Sequence, residues 1–228
     1  MILSVHNIHK AFLDVPVLKN VSFHIEAYDK AAVVGINGAG KTTLLRIIMG
    51  ELPADEGNVT FSKDKTIGYL SQHQAVSSDN TIYEELLSVK KDILDLESRM
   101  RSVELQMKTS REDKLSELME TYANLTHAFE TANGYAYKSE LTGVLKGLGF
   151  SEEEFSKSIN TLSGGQKTRV ALGKLLLQKP DLIILDEPTN HLDMSSITWL
   201  ETYLLNYKGA VLIVSHDRYF LDSIAGKS

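Results

Sequence analysis

Apolar positions along the chain follow three different rhythms. In Asn20–Ala27 (NVSFHIEA), Val21, Phe23, Ile25 and Ala27 alternate with polar residues, the period of a strand with one buried face. Shorter runs of the same kind carry Val59 and Phe61, then Ile67 and Tyr69. Three other runs, Ala31–Gly35 (AAVVG), Leu182–Asp186 (LIILD) and Ala210–Ser215 (AVLIVS), are almost continuously apolar. They predict strands buried on both faces, as in a parallel sheet covered by helices. Helices are expected between them, after Gly40 (KTTLLRIIMG) and over Lys167–Gln178. The expectation is an α/β chain with an antiparallel β portion near its N-terminus.

Between about residues 81 and 132 the rhythm changes. Ile82, Leu86, Val89, Ile93, Leu96, Met100, Val103 and Met107 recur at spacings alternating four and three. That is a 3.5-residue seam sustained over more than three heptads. After the polar stretch KTSREDK, Leu115, Leu118, Tyr122, Leu125 and Phe129 repeat the spacing. Two helices folded into an antiparallel hairpin would bury these seams on each other, the first roughly 39 Å and the second roughly 28 Å long at 1.5 Å per residue. Two amphipathic helices lying on the main core are the plainer alternative. The chain therefore divides into a first core segment (1–80), an inserted hairpin or arm (81–132) and a second core segment (133–228). A further helix is expected from Ser151, where S-E-E-E offers a capping box with Glu154.

Composition narrows the field. With 43% hydrophobic and 24% charged residues, the 228-residue chain has the make-up of an ordinary globular protein. A net charge of −6 argues against a protein that works mainly by coating nucleic acid with positive charge. The absence of cysteine excludes disulfides, thiolate metal sites and cysteine nucleophiles. No apolar run approaches the ~20 residues of a membrane-spanning helix. The N-terminus MILSVHNIHK also lacks the pattern of a secretory leader. A cytoplasmic location is expected. The short stretch after His216 reads as the end of a half-molecule.

Three motifs carry chemistry. Gly35–Thr42 (GINGAGKT) fits G-x-x-x-x-G-K-[ST] between an apolar strand and a helix. Its glycines let successive backbone amides face a phosphate, and the helix N-terminus adds positive potential. Lys41 would reach the β- and γ-phosphates, and the Thr42 hydroxyl would ligate Mg²⁺. The strand Leu182–Asp186 ends in two carboxylates. Asp186 would hold the metal, and Glu187 would direct or deprotonate a water at the γ-phosphorus. Leu162–Gln166 (LSGGQ) precedes a helix. Ser163 and two glycines there make either a second anion-binding terminus or a plain N-cap.

GINGAGKTT, LSGGQ and LIILDEP, in that order, resemble an ATP-binding-cassette ATPase over essentially the whole chain. That resemblance implies an α/β cassette of the P-loop NTPase class, with a helical signature subdomain, that binds ATP and Mg²⁺ and hydrolyses the nucleotide. It implies contacts to ATP from Gly35, Ile36, Asn37, Gly38, Ala39, Gly40, Lys41, Thr42 and Thr43. Two cassettes would sandwich two nucleotides, so that Ser163, Gly164, Gly165 and Gln166 meet the γ-phosphate held by the opposite cassette. Gln72, in IGYLSQHQ, would sense Mg²⁺ and water, with Gln74 a competitor for the role. His216 would contact the γ-phosphate, and Phe12 would stack on adenine.

Asp186–Asp193 (DEPTNHLD) and Ser215–Asp222 (SHDRYFLD) are similar to the F subfamily of these ATPases (ABC-F), twin-cassette proteins without membrane spans, many of which act on ribosomes. The hairpin falls where that subfamily inserts an arm, and Asp193 would couple two sites at the cassette–cassette seam. The resemblance implies a second cassette as partner and a ribosome or rRNA contact through the arm, with no membrane. Over 81–140 eight basic residues face twelve acidic ones, which repels RNA at the arm's base. Only Arg99–Lys114, with five basic and three acidic residues, leans the other way. The ATPase subunit of a membrane transporter and a non-hydrolysing nucleotide sensor are the competing readings.

Overall fold

The computed structural model describes residues 1–36, 38–72 and 76–225. Along the chain the strands are β1 (Leu3–Phe12), β2 (Val15–Ile25), β3 (Lys30–Val33), β4 (Glu56–Phe61), β5 (Ile67–Leu70), β6 (Leu182–Asp186) and β7 (Ala210–Val214). The helices are α1 (Lys41–Ile48), α2 (Ile82–Leu87), α3 (Lys91–Thr109), α4 (Glu112–Thr131), α5 (Tyr137–Gly147), α6 (Gly164–Gln178), α7 (Met194–Leu205) and α8 (Arg218–Ala225). An antiparallel sheet runs in the order β2-β1-β4, and a parallel sheet in the order β3-β7-β6-β5.

The pleat of β6 and β7 builds two cores at once. Every residue of both strands is buried. Ile183, Leu185, Val211 and Ile213 pack on one side, with Leu86 of α2, Leu141 and Leu145 of α5, Val170 and Leu176 of α6, and Phe220 of α8. Leu182, Ile184, Leu212 and Val214 pack on the other, with Leu3 and Ile8 of β1, Ile25 of β2, and Leu45 and Ile48 of α1. Successive side chains alternate faces, so continuous apolarity is what a strand between two layers requires. AAVVG departs from the expectation. β3 lies at the sheet edge beside β7 only, its residues are half-buried, and Val34 beyond it is exposed.

The single long helix expected over 82–107 is interrupted. Ser88–Lys90 form a 3₁₀ turn between α2 and α3. The Ser88 hydroxyl donates to the Glu85 carbonyl (2.7 Å), and the Lys90 ammonium is held by the Leu177 carbonyl and Glu140. The seam changes partners at this break. Ile82 and Leu86 bury into the main core. Ile93, Met100 and Val103 of α3 instead meet Leu125 and Phe129 of α4 in a separate small core. At 19 and 20 residues, α3 and α4 are each about 30 Å long. Tyr122 donates to Glu104 across the hairpin (2.7 Å), and Tyr137 donates to Glu97 near its base (2.9 Å).

Helix starts follow the caps. Thr81 and Glu84 form a reciprocal capping box at α2, and Asp193 caps α7. At Ser151 the expected capping box with Glu154 is present, but it starts only the 3₁₀ turn Glu152–Glu154. The turn ends where the Phe155 carbonyl and Lys157 carbonyl accept from Tyr83 and Ile82, pulling the chain away from a helical path.

Candidate functional site

The loop between β3 and α1 closes on the antiparallel sheet. Gly40 stands before α1 at φ 88°, a left-handed conformation open to glycine at little cost. A Cβ there would come within 2.6 Å of Val17 Cγ1 and 3.1 Å of Leu18 Cδ2, so the loop backbone lies directly on β2. Among the described residues no side chain caps α1, and its first turn has no acidic residue. The other motif-bearing helix starts, at α6 and α7, carry side-chain caps. Lys41 folds its ammonium back over the loop, donating to the Gly35 carbonyl (2.8 Å) and the Ile36 carbonyl (3.1 Å).

A cleft of about 530 Å³ opens here, lined by Phe12, Val17, Gly38, Gly40, Lys41, Thr42, Thr43, Gln72, Glu187, Asn190 and His216. Gly35, Ile36 and Ala39 belong to the loop behind it. Asn37 and Gln74 lie outside the described residues. Phe12 ends β1 with its ring half-exposed and the Lys10 ammonium 5.7 Å from the ring centroid. Gln72 is exposed two residues beyond β5.

The two carboxylates of β6 have different neighbours. Asp186 is buried, and the Thr42 hydroxyl donates to its Oδ2 at 3.1 Å. Its charge reaches Tyr69 on β5, where burial first and Asp186 next push the phenol up to about 12. Glu187, one residue on, adopts φ 51°, an uncommon left-handed conformation for a residue with a side chain. Its amide donates to the Val214 carbonyl (2.8 Å), tying the end of β6 to β7. Its side chain is only 9% exposed, and Oε2 faces His216 Nδ1 at 2.8 Å. The same oxygen accepts from the Ser215 hydroxyl and the His216 amide, both at 3.3 Å. The carboxylate is thus held by the end of β7, with the half-exposed imidazole against it.

The signature residues sit elsewhere. Ser163, Gly164, Gly165 and Gln166 start α6 and do not line the cleft. Ser163 accepts from the Gln166 amide (3.3 Å), and the Gln166 side chain accepts from the Ser163 amide (3.0 Å). The N-cap reading of LSGGQ is thus the one this capping box bears out. A Cβ on Gly165 would come within 3.0 Å of the His191 ring. Asp193 is exposed and also outside the cleft. It caps α7 by accepting from the Ser196 amide and the Ser195 hydroxyl, both at 2.8 Å, and these bonds hold its carboxyl below the usual range.

Val17 and Asn190 line the cleft without having been singled out from the sequence. Val17 reads as one more strand residue, and only the left-handed Gly40 pressing on it shows its place. Asn190 lies within DEPTN, and its amide donates to the Glu187 carbonyl (3.2 Å), which closes the turn after β6.

This loop, strand-end pair and signature helix on one α/β frame define a nucleotide-binding cassette. The ABC transporter family matches residues 18–190, and the chain belongs to that family of ATP-binding domains. It aligns over its whole length with YdiF of Bacillus subtilis (strain 168), 49% identical over 227 residues, covering 35% of that protein. ABC transporter F family member 5 of Arabidopsis thaliana is 38% identical over 97% of this chain and 32% of its own length. Energy-dependent translational throttle protein EttA of Mycobacterium tuberculosis is 38% identical over 98% of this chain and 39% of its own. The chain spans about a third of the length of these relatives. Among solved structures, an ATP-binding subunit of an ABC transporter superposes with TM-score 0.67 at 19% identity, covering 98% of this chain and 83% of its own, a likeness of fold. Among the described residues no helix is long and apolar enough to cross a membrane.

Proposed function

We propose that the chain is one ATP-hydrolysing half of an F-type, ribosome-associated protein of the cytoplasm, paired with a second cassette rather than with a membrane subunit. The observation that carries the proposal is the meeting of the uncapped α1 terminus, the Thr42–Asp186 contact and the Glu187–His216 contact at one cleft.

ATP would lie with its phosphates on the 35–43 loop and its base toward Phe12. Lys41, released from the Gly35 and Ile36 carbonyls, would pair with the phosphate oxygens. Thr42 Oγ1 and Asp186 Oδ2 are hard oxygen donors already side by side, a set that suits Mg²⁺ alongside phosphate ligands. Bound there, Mg²⁺ would neutralise charge on the β- and γ-phosphates. Glu187 accepts a hydrogen bond from the attacking water and so aligns it, with His216 and Gln72 positioned to contact the terminal phosphate. Ser163–Gln166, being away from the cleft, would serve the nucleotide of the other cassette, with Asp193 at the seam between them. Turnover then requires the pair, and the arm is the surface offered to the ribosome.

Glu187→Gln in the full-length protein tests this reading. It keeps the side chain's size and removes the base, so ATP binding should persist while turnover falls by about 10²–10⁴. The ATP-bound variant should also co-sediment with ribosomes. Undiminished steady-state hydrolysis would refute the mechanism, and partition into membranes alone would reverse the choice of partner.

A further inference from the structure

One buried carboxylate outside the cleft joins three parts of the molecule. Glu85, on α2, is 5% exposed. Its Oε2 accepts from the Ser78 hydroxyl (2.7 Å) and the Asn80 amide group (2.9 Å), and its Oε1 pairs with the Lys174 ammonium on α6. Burial alone would push the Glu85 carboxyl up, but Lys174, Ser78 and Asn80 together hold it below the ordinary range. Ser78 and Asn80 lie in the segment that follows Gln72. Lys174 is on the helix that begins at the Ser163–Gln166 turn. Glu85 itself stands in the element that leads, through the 3₁₀ turn, into the α3–α4 hairpin.

A second set of bonds runs parallel to the first. The Ile159 amide donates to the Asn80 carbonyl (3.0 Å), and the Ile82 and Tyr83 amides donate to the Lys157 and Phe155 carbonyls (3.0 Å each). The Asn160 side chain donates to Asp79 (2.9 Å). Residues 78–83 are therefore bound both to the residues just before the signature turn and, through Glu85, to the helix just after it. Glu85 is buried and Lys174 partly exposed, so the carboxylate is the charge that cannot lose its partners without cost, and its bonds favour one geometry.

We propose that Glu85 is a positioning residue: its pairing with Lys174 holds the Ser163–Gln166 turn in register with residues 78–80. Nucleotide capture at the 35–43 loop does not depend on this link, whereas the closed arrangement that turns ATP over does. This inference rests on the ATPase reading above.

The test compares Glu85→Gln, Lys174→Gln, their double variant and Lys174→Arg in the full-length protein, with the wild type as control. Affinity for a fluorescent ATP analogue, ATPase kcat and thermal midpoint are measured for each. Glu85→Gln and Lys174→Gln should each lower kcat about tenfold with nucleotide affinity within about twofold of wild type. The double variant should be no worse than either single one, because one link has been removed, and Lys174→Arg should retain turnover. Lys174 is partly exposed, with its side chain 28% accessible, so its variants keep the test alive if Glu85→Gln fails to fold. Unchanged kcat in Lys174→Gln overturns the proposal. So does a loss of affinity and thermal midpoint in step with kcat, the pattern of a merely structural residue. A wild type that binds ATP but never hydrolyses it would instead overturn the ATPase reading, and this inference with it.

Discussion

Substituting Gly40 by alanine separates two costs that the loop geometry imposes. The first is conformational: φ of 88° lies in left-handed space, which costs an L-residue about 1–2 kcal/mol. The second is steric, because the new methyl would sit 2.6 Å from Val17 Cγ1 and 3.1 Å from Leu18 Cδ2, an overpacking worth about 1–3 kcal/mol. Together they amount to about 2–5 kcal/mol. The empty loop can relieve this by drawing back from β2, but nucleotide binding must restore it, so the cost appears in affinity. At tenfold per ~1.4 kcal/mol, Gly40→Ala should weaken ATP binding at least about 30-fold. Gly38 provides the internal control. Its φ is 82°, yet a Cβ there meets nothing within 4 Å, so Gly38→Ala bears only the conformational cost, about 5- to 30-fold. Adding Val17→Ala to Gly40→Ala removes the nearest clashing atom and should recover about five- to tenfold. Titration calorimetry on the four proteins measures all of this. A Gly38→Ala effect equal to or larger than that of Gly40→Ala, or no recovery from Val17→Ala, would show that the loop is not seated on β2 as described.

Two further outcomes follow from other parts of the fold. Phe129 is 5% exposed in the small α3–α4 core, and Phe129→Ala should cost that core about 3–5 kcal/mol. Hydrogen exchange should then rise across 91–131 while ATP affinity at the loop stays unchanged; loss of protection throughout the chain would show that the hairpin core is not independent. Asp181 accepts from Lys65, the Thr66 amide and the Thr66 hydroxyl, which bring its carboxyl down to about 2. A depressed folded value stabilises above the unfolded value near 3.8 and is lost as pH falls toward 2. Asp181→Asn should therefore be less stable than wild type at neutral pH, with the gap closing between about pH 4 and 2 in denaturant melts; a gap that is constant with pH would contradict the assignment.

How much of this was legible in the sequence depends on how local the cause is. β6, β7 and the loop before Lys41 could be placed because apolar continuity and glycine spacing are set by the residues themselves. AAVVG shares the apolar continuity of LIILD, yet it lies at an edge, because strand order is a property of the whole sheet. The 3.5-residue seam was visible in full, but periodicity does not say against what a face packs. Ile82 and Leu86 continue the pattern of Ile93 and Met100 while serving a different core. At Ser151 the capping box formed, but bonds from residues 82 and 83, far away in sequence, ended the turn that it began. The resemblance already placed Glu187 and His216 at one phosphate, though not in contact, whereas the Lys174 contact to Glu85 had no sequence signal, since it joins elements brought together only by folding.

The pleat of β6 also governs how its two acidic residues divide their work. Leu182 and Ile184 belong to the layer that contains α1, and Ile183 and Leu185 to the opposite one. Asp186 continues the first set and reaches Thr42 at the start of α1; Glu187 turns out of the strand toward the end of β7. Their separation is one peptide unit, and it is clamped from both sides by residues that cannot exchange layers. Deleting a single residue within β6 would move Glu187 into the place of Asp186 and Asp186 into that of Leu185, and would invert both hydrophobic faces together. The register of β6 therefore sets the two cores and the placing of the acidic pair at the same time.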